Sequence, residues 1–159
     1  MVKDIANGDH QRWRGWESLH AYESQRRGVA AGRFMAIHRK GQFWVQFGGH
    51  IESKDVSVAE AAQREAREES GIGDLVLLSP AIVDLDRHDL HAGFSCTAHW
   101  DVGFAAAITP DAEISVSDES EDVRWFPIND LPTQVPAGFS ARLERARRTV
   151  MLLTGAHVG

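Results

Sequence analysis

Three carboxylates carry the chemical signal of this chain: Glu65, Glu68 and Glu69, in the run Arg64-Glu65-Ala66-Arg67-Glu68-Glu69-Ser70-Gly71-Ile72. On a helix, residues spaced i, i+3 and i+4 stack on one face about a turn apart. Like charges at that spacing repel, so a helix selected for stability alone would avoid them. A hard divalent cation over the face resolves the conflict, because Mg2+ or Mn2+ takes oxygen ligands and offsets the repulsion.

The flanking residues predict the elements that hold this face. Ser57 with Glu60 three residues on is a capping box, able to satisfy backbone donors of a first helical turn. Ala59, Ala61, Ala62 and Ala66 raise helix propensity, and Gly71 falls where a left-handed C-terminal residue is wanted. Small residues make the buried side of this helix and acids its wet side. Upstream, Trp44-Val45-Gln46-Phe47 reads as a strand. Gly48-Gly49 then lets the backbone turn and approach a ligand without Cβ interference. His50 to Asp55 forms the loop into the helix and sets His50 beside the ion. Strand, Gly-Gly turn, polar loop and acidic helix form one ion-binding unit.

These residues resemble the Nudix box, G-x5-E-x7-R-E-U-x-E-E-x-G-U with U aliphatic. Arg64, Glu65, Ala66, Glu68, Glu69, Gly71 and Ile72 fit its second half without a gap. The five fixed letters would arise by chance roughly once in a million starting positions. The first half departs twice. Asp55 stands where the family has glutamate, and the stretch to Arg64 is one residue longer, which an extra loop residue before Ser57 absorbs. The resemblance implies an α/β/α sandwich with a mixed β-sheet between helices. It also implies a metal-dependent hydrolase that cleaves a diphosphate linkage in a small nucleoside-diphosphate-linked substrate, with Mg2+ or Mn2+ as cofactor. Glu68 and Glu69 would be direct metal ligands. Glu65 would be either a third ligand or the acceptor of the proton from water. Arg64 would orient a glutamate, and Gly49 would offer a backbone carbonyl. In such domains an acidic residue just before an aromatic-rich strand joins the metal site; Glu119 fits first, then Glu121 or Asp122. A nucleotide-sensing domain would be expected to lose box glutamates, and all three persist. An isopentenyl-diphosphate isomerase would need a catalytic cysteine; Cys96 is the sole candidate and sits in no matching pattern.

Composition bounds the rest. A chain of 159 residues with 43% hydrophobic and 25% charged residues predicts one soluble domain, 1–159. A net charge of −6 argues against a nucleic-acid partner. With one cysteine, no signal peptide and no apolar run near the length of a bilayer span, no membrane partner is expected and the cytoplasm is the default.

In chain order, residues 1–27 place Trp13, Trp16, Leu19 and Tyr22 at near-helical spacing. They predict an N-terminal helical extension whose aromatics pack on the domain or on a homodimer mate. Val29 to His38 reads as a strand, followed by a tight turn at Lys40-Gly41. A diphosphate needs cations, so Arg33 and Arg39 are candidate substrate contacts, as is His50. Trp44 offers a stacking face for a base. Leu75 to Leu78 and Ala81 to Val83 read as two short strands broken near Pro80. His88, His91 and His99, among Asp84, Asp86 and Asp89, follow no tight zinc spacing and are expected to shape a loop or flank strands. Ala98 to Ala107 predicts a strand with Trp100 in the core. The six acids from Asp111 to Asp122 read as a solvated run before a strand at Val123 to Ile128. Ala137 to Thr154 predicts a closing helix with Arg142, Arg145, Arg147 and Arg148 on its wet faces.

Overall fold

A computed structural model describes residues 15–23, 34–89, 98–108, 112–118 and 120–154. In chain order the elements are β1 (Gly15–Glu23), β2 (Phe34–Lys40), β3 (Phe43–Val45), α1 (Val58–Ser70), β4 (Asp84–Asp89), β5 (Ala98–Ile108), β6 (Asp122–Pro127) and α2 (Phe139–Thr154).

The sheet is mixed, in the order β3-β2-β1-β5-β4, with β6 also paired to β2. Among the described strands only β1 and β5 run parallel, from Gly15 opposite Trp100 to Glu23 opposite Ile108. A strand has two edges. Because β6 pairs along Phe34 to Arg39, β1 (at Met35 and Ala36) and β3 (at His38 to Lys40) share the other edge of β2. The β2–β3 hairpin closes through Gly41 and Gln42, with Gly41 at φ 62° as a two-residue loop requires.

The helices lie on opposite faces. Beneath α1, Ala62 and Ala66 pack with Phe47, Ile72, Leu75, Phe104, Ala106, Ile108 and Val123. On the other face Phe139, Leu143, Ala146 and Val150 of α2 pack with Trp44, Val83 and Ala105. The alternation along β5 explains this division, since 104, 106 and 108 point to α1 and 105 points to α2. Among the described residues no helix is long and apolar enough to cross a membrane.

The sequence expectations need three corrections here. Residues 15–23 form a strand, not part of a helix: Trp16, Leu19 and Tyr22 mimic a helical stripe, but the nine-residue ladder with β5 overrides it. Trp13 and Arg26-Arg27 lie outside the described residues. The segment Leu75 to Val83 is not two strands. It hugs β5 through one bridge (Leu77 with Ala106) and single bonds from Leu78 and Val83 N–H to Ala105 and Gly103 O, both 2.8 Å, and Pro80 has no N–H to continue a ladder. Trp100 is 38% exposed, near the start of β5, with the Arg87 guanidinium 5.9 Å from its ring centre.

On the wet face of α2, Glu144 accepts from Arg147 (2.8 Å) and Arg148 (3.0 Å). These bonds, Arg147's first, hold its carboxyl down at about 2, against an ordinary 4.5. Their stability is complete above the unfolded value and is lost as pH falls toward the folded one. Glu144→Gln should therefore cost about 0.5 kcal/mol at neutral pH, the scale of exposed helix pairs. The loss should vanish near pH 2, as denaturant melts at the two pH values would report.

Candidate active site

α1 begins at an N-cap Ser57 whose hydroxyl accepts from Glu60 N–H at 3.1 Å, while Glu60 reaches back to Val56 N–H at 3.0 Å. It ends at Gly71, in the left-handed region at φ 74°. Between these caps the three glutamates take different environments. Glu69 is 1% exposed and Glu65 is also buried, whereas the Glu68 side chain is 56% exposed. The expected uniformly wet acidic face is thus corrected: the turn at Phe47, Gly48 and Gly49 passes over two of the three.

That turn supplies part of their neutralisation. Gly48 N–H donates to Glu69 Oε2 at 2.7 Å. Gly49 lies against Glu65 so closely that a Cβ added there would fall 2.3 Å from Glu65 Cδ and 2.4 and 2.5 Å from its two oxygens. The absent side chain, rather than an unusual backbone angle, leaves the space that the Glu65 carboxylate fills.

Arg64 does the rest. Its Nε and Nη2 form a bidentate pair with Asp55 (3.0 and 2.9 Å), and Nη2 also donates to the His50 carbonyl (3.2 Å). Its Nη1 donates to Glu65 Oε1 (2.8 Å) and Glu68 Oε2 (3.0 Å), with Glu52 at 3.4 Å. Asp55, whose side chain is 3% exposed, also accepts from Glu52 N–H at 2.7 Å. The Arg64 fork, offsetting the cost of burial, holds the Asp55 carboxyl below the usual range, and Asp55 raises the guanidinium in turn. The short side chain at the position of the family's first glutamate still reaches Arg64 because the longer loop carries it there. The carboxylates are held apart rather than gathered on one point: Arg64 takes Glu65 and Glu68, and Glu69 turns to Gly48.

The other candidates fare unevenly. His50 is exposed, its ring 6.1 Å from that of His99, which in turn lies 5.4 Å from His88. Arg39 is half-exposed on β2, its Nε 3.4 Å from Glu121, and Glu121 N–H donates to Arg39 O at 2.9 Å. Asp122 pairs with Arg124 at 2.5 Å. Trp44 is corrected: at 5% exposure it is core, edge-on to Phe126 with centres 4.9 Å apart and Arg124 5.7 Å from its ring, so it presents no open face to a base. Arg33, Glu119 and His91 lie outside the described residues.

Arg142 is a further correction. Instead of facing solvent, it is largely buried and binds Asp84 through Nε (2.9 Å) and Nη2 (2.7 Å), and Asp101 through Nη1 (2.9 Å). Burial alone would lower its guanidinium, but Asp84 and Asp101 outweigh this and raise it. The alternation Asp84, Asp86, His88 was the available signal, since it places three polar side chains on one strand face.

Over 107 residues the chain is 34% identical to an octanoyltransferase of Myxococcus xanthus, a match that spans 64% of this chain but only 27% of that relative's length. The crystal structure of a MutT protein from Methanosarcina mazei superposes with TM-score 0.66 at 17% identity, covering 89% of this chain and 97% of that one. That of an Ap4A hydrolase from C. elegans gives 0.65 at 15% identity, covering 91% and 99%. These likenesses show the fold. The NUDIX domain family model matches residues 22–146, most of the chain, and includes the whole of the β3–α1 unit. On that match, the chain belongs to the Nudix hydrolase family.

Proposed function

We propose that this protein hydrolyses a diphosphate linkage in a small nucleoside-diphosphate-linked compound, in the cytoplasm, with Mg2+ or Mn2+ bound over α1. The observation that carries the reading is that one helix brings Glu65 and Glu68 to a shared arginine while the Gly48–Gly49 turn closes on Glu65 and Glu69.

The donor set fits a hard cation. It is all oxygen, and Glu52, Asp55, Glu65, Glu68 and Glu69 outnumber Arg64 and Lys54. Glu68 and Glu69 would be the direct ligands, with the carbonyl of Gly49 beside them. Glu68, the exposed one, would reach such an ion by releasing its 3.0 Å contact with Arg64. When bound, the cation neutralises phosphate oxygens and acidifies a coordinated water. The protein's own groups do the positioning. Gly48 N–H fixes Glu69, and Gly49 leaves the space Glu65 occupies. Arg64 orients Glu65 and Glu68 without facing substrate. Glu65, anchored through one oxygen, serves as third ligand or accepts the proton from the attacking water. His50, exposed at the mouth of the turn, is placed to meet the diphosphate or the group it carries.

Gly49→Ala tests this packing. Its methyl group should displace Glu65, costing about 1–3 kcal/mol of stability by overpacking. Turnover should drop about 100-fold, as expected when a reacting group moves by an ångström. Thermal melts and steady-state rates read the two effects separately.

The function is tested by a substrate panel: a dinucleoside polyphosphate, ADP-ribose, a nucleotide sugar and a nucleoside triphosphate, each with Mg2+ and then Mn2+. Cleavage of at least one at its diphosphate linkage, abolished by EDTA, is expected. No cleavage of any, or cleavage that survives EDTA, overturns the proposal.

A further inference from the structure

We propose that Asp86, His88 and Asp101 form a second cation site, for a transition metal such as Zn2+, on the α2 side of the sheet and separate from the α1 glutamates. Three independent observations support it. In the β4–β5 ladder Asp86 stands directly opposite Asp101, and His88 follows on the same face of β4. Carboxylates directly across a ladder repel unless a cation lies between them. One potential ligand atom from each of the three residues lies within 4.8 Å of the other two. Asp101 is 3% exposed, and among the described residues its Oδ1 accepts no hydrogen bond. A buried, unsatisfied carboxylate oxygen is costly, and a metal ion is one of the few partners that removes the cost.

Arg142 neutralises this cluster only in part. Its Nη1 is 2.9 Å from Asp101 Oδ2 and 3.3 Å from Asp86 Oδ2. His88 Nδ1 lies 3.7 Å from Asp101 Oδ2, beyond hydrogen-bond reach. An ion seated among the three would take over the Nη1 contacts, while the Nε hydrogen bond keeps Arg142 on Asp84, with Nη2 2.7 Å from the same carboxylate but making no hydrogen bond among the described residues. An imidazole with two carboxylates suits Zn2+, Co2+ or Ni2+ better than Mg2+, which prefers oxygen and water. His99, opposite His88 across the ladder, is the nearest further nitrogen donor. The bound ion would pin β4 to β5 and α2.

The test is Zn2+ titration calorimetry on tag-free full-length protein, in excess Mg2+ so that the α1 carboxylates are occupied, with Co2+ absorption reporting nitrogen ligation. The expected result is one tightly bound Zn2+. Affinity should fall about tenfold or more in His88→Ala and in Asp86→Asn and stay unchanged in Glu68→Gln. His88 and Asp86 are not core residues, so both variants should fold, and thermal melts would verify it. The idea is overturned if the wild-type protein binds no Zn2+, if both β4 variants bind it as wild type does, or if Glu68→Gln removes binding. A failed substrate panel would leave this result untouched.

Discussion

Arg64→Ala should lower stability by about 3 kcal/mol, the scale for removing one partner of a buried ion pair. In a chain of this size that is a drop of about 6–12 °C in Tm, read by a thermal melt. The loss has a specific origin. The Asp55 side chain is almost wholly buried and receives two of the five guanidinium hydrogen bonds, so alanine leaves it charged without its main counter-ion. Glu65 and Glu68 would lose their common donor at the same time and repel each other along α1. Arg64→Lys keeps the charge but not the fork, so it should recover only part of the loss. A shift below about 2 °C for the alanine variant would mean that the hub is not what holds the loop to the helix.

Glu68→Gln should behave in the opposite way, leaving the fold intact and removing activity. The side chain is more than half exposed, and glutamine can still accept from Arg64 through its remaining oxygen. What it loses is the negative charge offered to the cation. Deleting one preorganised electrostatic contact at a reacting centre costs up to about 10³-fold in turnover. A kcat fall of that size with an unchanged Tm is expected. Loss of both together would recast Glu68 as structural.

How far the sequence revealed these features depends on how local each one is. α1 was readable because its cap, its alanines, its glutamate spacing and its terminal glycine all lie within one stretch. The pairing of Arg64 with acidic side chains followed from the same stretch together with the resemblance. β1 reads as helix in the sequence because Trp16, Leu19 and Tyr22 recur every third residue, while its identity as a strand depends on β5, which is distant along the chain. Trp44 and Trp100 exchanged roles for a related reason. Burial in a strand depends on what covers that point of the sheet, and α2 with Phe126 covers Trp44 while Trp100 stays 38% exposed. Arg142 reads as solvated in the sequence, since only the folded register of β4 and β5 brings Asp84 and Asp101 beneath it.

The central claim is that the α1 carboxylates hold a divalent ion. Mn2+ binding followed by electron paramagnetic resonance tests it without reference to any substrate. Wild-type protein should quench the free Mn2+ signal, with affinity weakened about tenfold or more in Glu68→Gln and unchanged in His88→Ala. Equal Mn2+ binding by wild type and Glu68→Gln, or no binding by either, would contradict the account.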